Sequence, residues 1–184
     1  MSDANEEAIV VKTERWVSRV VIGLNLCPFA KAVQVKGQVR YVVSSAETTT
    51  SLLADLEREL TSLAATSAAE VDTTLLVHPR VLTDFADYND FLSEADERLA
   101  ELGLEGELQI ASFHPDYCFA GSDANDAANY TNRSPYPLLH LLREASVSRA
   151  VDAFPEPATI YERNIETLRA LSAADIERLL GDDD

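Results

Sequence analysis

Short runs of β-forming residues alternate with longer amphipathic stretches along this chain, and this alternation limits the folds it can adopt. Three runs are typical of strands: QVRYVVS at 38–44, DTTLLVH at 72–78 and LQIAS at 108–112. Strands that alternate with helices of this length usually form parallel sheets with right-handed crossovers. We therefore predict an α/β fold: a single domain over residues 1–184, with a small, mostly parallel sheet of three or four strands covered by about five helices.

Apolar residues at helical spacing predict where the helices lie. The first helix is expected over residues 5–24, and the second carries a leucine stripe after a capping box formed by Ser44 and Glu47. A third helix is expected over residues 83–102, with Gly103 just past its end as a stop signal.

Ser134 and Pro135 indicate the start of a fourth helix, with Ser as the N-cap and Pro at the first helical position. This helix would bury one apolar stripe and leave polar residues on the opposite side. The buried stripe is Leu138, Leu141, Leu142 and Ala145, and the opposite side holds Tyr136, His140 and Arg143. Capping patterns at Thr159 and Ser172 predict two further helices.

Composition and charge exclude some classes of partner. The formal net charge is −17, and an acidic surface repels a phosphate backbone, so we expect no nucleic-acid partner. No apolar run approaches the about 20 residues that span a bilayer, so we expect no membrane partner. The acidic ends at 1–6 and 181–184 are expected to be disordered. Two cysteines and no signal-peptide pattern predict a reducing cytoplasm.

One segment is basic although the chain as a whole is acidic. Residues 12–43 contain a single acid, Glu14, and six basic residues: Lys12, Arg15, Arg19, Lys31, Lys36 and Arg40. Cys27 lies in this segment, and Pro28 suits the first position of a helical turn that Cys27 would cap. Basic neighbours and free amide groups favour a reactive thiolate, so Cys27 is a candidate nucleophile; a plain buried cysteine is the alternative.

Two predicted strands end in the same dipeptide, His-Pro. His78 closes the second strand, and His114 follows the third. Ligands of open parallel sheets bind outside the carboxyl ends of the strands, and a following Pro holds each His in extended backbone. We expect both imidazoles to face one crevice; the alternative is that each satisfies a backbone group at a strand end.

Residues 113–133 form a long segment without a regular pattern. The segment is rich in aromatic residues, which indicates that it packs on the body of the domain: Phe113, Tyr117, Phe119 and Tyr130. Arg133 precedes the predicted helix start and is placed to bind a carboxylate or phosphate; bracing the loop is the alternative. Asp116 is a candidate acid/base group or metal ligand, and Cys118 is a reserve thiol with no activating neighbours.

Four blocks, NLCPFAKAV, TTLLVHPRVLTDFADYNDFL, ELQIASFHPDYCFAG and NYTNRSPYPLLHLLREASVSRA, resemble the family catalogued as domain of unknown function 1415 (DUF1415). The resemblance covers about residues 7–171 and implies no reaction or cofactor. The residues expected in members of this family match the chain at residues 25–29, at His114 and at residues 129–144. Cys118 stands where the family pattern has Gln, which argues against Cys118 as an essential nucleophile.

Three functional hypotheses follow. The first is an enzyme for a small anionic metabolite, with Cys27 as nucleophile or redox thiol and His114 as general acid or base. Its substrate-binding residues, taken from the matching blocks, are Asn25, Asn132, Arg133 and His140. The second is a protein that binds a divalent metal such as zinc through Cys27, His78, His114 and Asp116. The third is an interaction module that grips a partner chain with the aromatic loop 113–133. The sequence leaves the oligomeric state open.

Overall fold

A four-stranded mixed sheet is the centre of the structure, a computed structural model that describes residues 3–153 and 159–180. Its strands are β1 (Val39–Val43), β2 (Thr73–Val77), β3 (Leu108–Phe113) and β4 (Leu138–Arg143), in the spatial order β1, β2, β4, β3. Strands β1 and β2 are parallel, and β4 is antiparallel to both of its neighbours. The three strands expected from the sequence thus run in one direction, but the prediction of a mostly parallel sheet is wrong because β4 separates β2 from β3.

Strand β4 replaces the helix predicted after Ser134. The segment LLHLLR pairs with β2 on one side and β3 on the other, and helix α5 (Glu144–Asp152) begins only after it. A central strand is covered on both faces, so apolar residues occupy both sides of it. The four leucines of β4 therefore have the same spacing in sequence as the buried stripe of a helix.

Two helices cover one face of the sheet, which we call the α3/α4 face. Helix α3 (Thr49–Ala65) and helix α4 (Phe85–Glu101) pack their apolar sides on Leu76, Leu139 and Leu141. Thr48 caps α3 in a capping box with Ser51, four residues beyond the Ser44 and Glu47 pair that the sequence suggested. Asp84 caps α4 by accepting from the amides of Ala86 and Asp87.

The remaining helices cover the opposite face, which we call the cavity face. They are α1 (Asp3–Trp16), a π-helical segment (Val17–Ile22), α2 (Ala30–Val35), α5, α6 (Thr159–Arg169) and α7 (Ala173–Leu180). The helical turn expected at Pro28 with Cys27 as its cap begins two residues later, because α2 starts at Ala30 and has Phe29 at its N-cap. The described helices number more than the five expected. Of the ends expected to be disordered, 1–2 and 181–184 lie outside the described residues, whereas α1 already begins at Asp3.

The first predicted helix changes its winding halfway along. The α-helix ends at Trp16, and a π-helical segment of six residues follows. A Cβ at Gly23 would lie 2.1 Å from the carbonyl oxygen of Arg19, so only glycine fits where this segment ends. π-helical turns are rare and frequently occur beside functional sites, and this one borders the cavity described below.

No helix within residues 3–153 and 159–180 combines the length and the apolar character that a bilayer-spanning helix needs.

Candidate functional site

His78 and His114 lie together at the edge of the sheet where β2 and β3 end. Each ring packs against the Tyr88 ring of α4, with centroid distances of 5.8 Å for His78 and 5.1 Å for His114. The two histidines therefore share one edge, as parallel strands require. Both rings are completely buried on the α3/α4 face.

The hydrogen bonds of these two histidines are made to the backbone. Nδ1 of His78 lies 3.0 Å from the Val81 carbonyl oxygen, to which it must donate, and burial lowers the pKa of His78 to about 4. Nδ1 of His114 accepts from the Asp116 amide at 3.0 Å, so its Nε2–H donates to the Leu82 carbonyl at 3.2 Å. Burial also lowers the pKa of His114. Both rings are neutral at pH 7 and hold the turns that leave the strands.

Arg133 braces the long loop rather than opening toward a ligand. Its guanidinium donates to the carbonyl oxygens of Tyr117 at 3.1 Å and Ala124 at 2.7 Å. The same group lies over the Tyr130 ring, 4.5 Å from the centroid. These contacts tie both ends of the loop together and occupy the side chain that the sequence suggested as an anion clamp.

Replacing Arg133 with Lys is expected to loosen this loop, because one ammonium group cannot reproduce a fork that spans two carbonyls. We expect a loss of about 1–2 kcal/mol in the free energy of unfolding and faster proteolysis within residues 114–132. Urea unfolding and limited proteolysis measure the two effects. The matched control is Arg178→Lys, since Arg178 is exposed and bonds Asp175 of its own helix. Equal behaviour of the two variants would show that the brace contributes nothing.

The other predicted site residues of this region have local structural roles. Asn132 donates from Nδ2 to the Ser112 carbonyl at 3.0 Å. Asn25 is exposed at a left-handed turn with φ of 54°. Asp116 is exposed, and the sulfur of Cys118 lies 3.7 Å from the Ser122 hydroxyl. None of them borders the cavity on the opposite face of the sheet.

Cys27 lies on the cavity face, separated from His78 and His114 by the sheet. It borders a cavity of about 320 Å³ between the sheet, the π-helical segment, α2 and α5. The fold therefore does not bring Cys27 and His114 together, and the catalytic pair expected from the sequence is corrected. The histidine that shares the cavity with Cys27 is His140 of β4.

The cavity has a mostly apolar wall. Its floor consists of sheet residues, and three helical segments with the turn before α2 form its sides. The apolar lining residues are Trp16, Val17, Val21, Phe29, Ala30, Val33, Val39, Leu75, Ala111, Phe113, Leu142, Val147 and Ala150. The polar ones are Cys27, Asp72, Thr73, Gln109, His140 and Ser146.

His140 presents a hydrogen-bond acceptor at this wall. The Thr73 hydroxyl donates its only proton to the Leu141 carbonyl at 2.6 Å, so the 2.7 Å contact with His140 is donated by Nε2–H of the imidazole. Burial lowers the pKa of His140 to about 4, so the ring is neutral at pH 7. This tautomer leaves Nδ1 unprotonated and therefore able to accept a hydrogen bond.

The indole N–H of Trp16 also lies beside the cavity. Its ring makes an edge contact with Phe113 at 5.5 Å, and both residues line the wall. Within the described residues, its buried Nε1–H has no hydrogen-bond acceptor. Buried polar groups are rarely left without a hydrogen bond, and such a group usually binds a ligand or an ordered water. This role of Trp16 could not be predicted from the sequence, because Trp16 fits the apolar stripe of the first helix.

The residues proposed as zinc ligands are not gathered into one site. Over residues 3–153 and 159–180, no group of three or more His, Cys, Asp or Glu side chains lies close enough to hold a metal ion. Cys27 is on the cavity face, whereas His78 and His114 are on the α3/α4 face. The described donor set therefore does not fit the tetrahedral site that zinc requires.

Fold and cavity together define the class: an α/β domain with a mixed sheet and an apolar cavity on one face of that sheet. The chain belongs to the DUF1415 family of proteins of unknown function, whose family model matches residues 8–178. This match confirms the resemblance seen in the sequence. No curated protein and no solved structure matches the chain.

Proposed function

We propose that this chain binds a small molecule whose largely apolar body fills the cavity on the cavity face. The observation that carries the proposal is the cavity itself, which measures about 320 Å³ and has a predominantly hydrocarbon wall. Ligand sites are typically concave, mostly apolar and about 300–1,000 Å³ in volume, with a few placed polar groups. An engineered apolar cavity of about 150 Å³ binds benzene, so this cavity suits a body about twice that size.

The polar groups of the wall indicate how the ligand is oriented. Nδ1 of His140 can accept a hydrogen bond, so we propose that the ligand places a hydroxyl or N–H group there. Asp72, the only acidic residue that the described part of the chain contributes to the wall, disfavours negative charge inside the cavity. The part of the ligand that occupies this cavity is therefore uncharged.

An enzyme remains within this proposal in one form only, with the Cys27 thiol and His140 acting on the bound molecule. Both side chains border the cavity, which supports this pair over the pair expected from the sequence. Both cysteines are free thiols, which supports the reducing cytoplasm that we propose as the compartment.

The aromatic loop gives less support to an interaction module. Its rings pack internally: Tyr117 contacts Phe119 at 5.0 Å and Phe85 of α4 at 5.1 Å. Rings already used in this way are not displayed for a partner chain, so we favour the small-molecule proposal.

Binding of the neutral dye N-phenyl-1-naphthylamine tests the proposal. This molecule has an apolar two-part body and one N–H donor, and Trp16 is the only tryptophan of the chain and borders the cavity. We expect saturable quenching of Trp16 fluorescence. Val147→Phe, which fills the cavity from α5, should weaken binding by about tenfold or more, equivalent to about 1.4 kcal/mol.

Val151→Phe is the matched control, because Val151 lies on the same helix but is exposed and does not border the cavity. This variant should bind the dye as the unchanged chain does. Equal affinity of the two variants, or no quenching in the unchanged chain, would contradict binding in the cavity.

Bound dye should also protect one thiol and not the other. Cys27 borders the cavity, whereas Cys118 lies in the long loop beside Ser122. We expect saturating N-phenyl-1-naphthylamine to slow iodoacetamide alkylation of Cys27 by about fivefold or more, since a buried complex restricts thiol access. The rate at Cys118 should not change. Peptide mass spectrometry gives both rates in one sample, and equal protection of both thiols would indicate a general effect on the fold.

A further inference from the structure

An outer groove lies next to the cavity. It differs from the cavity because positively charged residues border it. The groove measures about 500 Å³ and lies between α2, α5 and the turn before β2. Five residues border both spaces: Phe29, Val33, Asp72, Ser146 and Ala150. The two spaces are therefore adjacent, and a molecule that occupied both would pass between these shared residues.

The groove differs from the inner cavity in its charges. Lys36, at the end of α2, and Arg149, on α5, both border the groove and not the inner cavity. Both belong to a chain whose net charge is −17, and Lys36 lies in the one segment of the sequence that is basic. The groove is thus bordered by two cations although the chain as a whole is strongly acidic.

The single carboxylate between the two spaces is already hydrogen-bonded. Oδ1 of Asp72 accepts from the Ser146 hydroxyl at 2.6 Å, and the Ser146 oxygen accepts from Arg149 at 2.9 Å. This short chain orients Asp72 toward α5 and holds the Arg149 guanidinium at the boundary. The charges that face the groove are thus two cations and one carboxylate engaged by a neighbour.

From this arrangement we propose that the ligand is an amphipathic organic anion. Its apolar body occupies the inner cavity, and its acidic group, a carboxylate, sulfonate or phosphate, lies in the groove between Lys36 and Arg149. The inference rests on the proposed function and adds the class of ligand to it. It also reconciles an uncharged inner cavity with an anionic ligand, because the two requirements fall in different compartments.

Two dyes with the same body separate this inference from the proposed function. 1-Anilinonaphthalene-8-sulfonate is N-phenyl-1-naphthylamine with one added sulfonate. We expect the anionic dye to bind the full chain about fivefold more tightly or better at low salt, as two partly exposed ion pairs allow. The advantage should shrink as salt is added, because exposed charges are screened.

The double variant Lys36→Gln with Arg149→Gln should remove this advantage and leave the affinity for the neutral dye unchanged. Unchanged neutral binding also shows that the cavity is intact. The matched control is Lys31→Gln, since Lys31 is exposed on the same helix as Val33 and borders neither space. The control should keep the full advantage.

The outcomes are distinct. If the neutral dye binds but the sulfonate adds no affinity, the inference is overturned and the proposed function stands. The same holds if the double variant keeps the advantage, or if Lys31→Gln loses it equally, since the effect then comes from overall charge. If neither dye quenches Trp16, the proposed function fails, and the inference fails with it.

Discussion

Between pH 7 and pH 5 the free energy of unfolding is expected to fall by roughly 4 kcal/mol, about 2 kcal/mol for each of two buried histidines. His78 and His140 both have a pKa lowered by burial to about 4, from an ordinary value of 6.5. Below pH 6.5 both histidines bind protons in the unfolded chain but stay unprotonated in the folded chain. Stability is therefore lost as the pH falls from 6.5 toward 4. Above pH 6.5 both states are neutral, and stability is flat. His114, whose pKa is also lowered, acts in the same direction.

Urea unfolding at half-unit steps from pH 8 to pH 5 measures this slope. Asp126 and Asp175, whose carboxyl pKa values are lowered by hydrogen bonds from Arg169 and Ser172 respectively, titrate below this window. The control is His140→Gln, because the amide can still donate to Thr73 but cannot take up a proton. This variant should lose about half of the pH dependence. A stability that stays constant from pH 7 to pH 5 would contradict the neutral buried imidazoles.

Replacing Tyr88 with Phe is the substitution for which we expect the largest loss of stability, about 2–4 kcal/mol. The buried hydroxyl donates to the Leu138 carbonyl at 2.9 Å and accepts from the Phe113 amide at 3.0 Å. It thus connects α4 to the start of β4 and the end of β3 at once. Phenylalanine keeps the ring that contacts both histidines. It leaves the Leu138 carbonyl and the Phe113 amide without this hydrogen-bond partner in a dry environment.

Urea unfolding measures the effect of Tyr88→Phe, with Tyr161→Phe as the control. Tyr161 is 52% exposed on α6, so loss of its hydroxyl should change stability by less than about 0.5 kcal/mol. Burial raises the phenol pKa of Tyr88, so the hydroxyl keeps its proton at any pH used. A loss no greater than that of the control would mean that the two backbone groups find other partners.

The sequence was sufficient to predict β1, β2 and β3, and it was insufficient to predict β4. β1, β2 and β3 are bounded by turn and cap residues, and β1 and β2 are also rich in β-branched residues, which have little helix propensity. β4 is rich in leucine, which favours helices, and it follows a Ser-Pro pair that resembles a helix start. Pairing with two strands far away in sequence outweighs that local preference, and no local pattern records it.

The error in β4 also explains the error in the site. As part of a helix, His140 belongs to the solvent side, whereas in the strand it lies on the cavity face beside Thr73. A side-chain period of two in place of 3.6 decides which face a residue occupies. The sequence did place His78 and His114 at one sheet edge, because parallel strands that end alike bring their next residues together. It could not tell that Cys27 lies on the other face.

The position of β4 inside the sheet delays formation of the complete sheet during synthesis. β1, β2 and β3 leave the ribosome before the strand that joins β2 to β3, so a growing chain carries the two halves of its sheet without their centre. Until residues 138–143 emerge, the facing sides of β2 and β3 expose unpaired backbone groups, the kind of edge that templates aggregation. The sheet can therefore close only after residues 138–143 have been made, and a chain cut short before Leu138 can pair β1 with β2 but lacks the strand that pairs with β3.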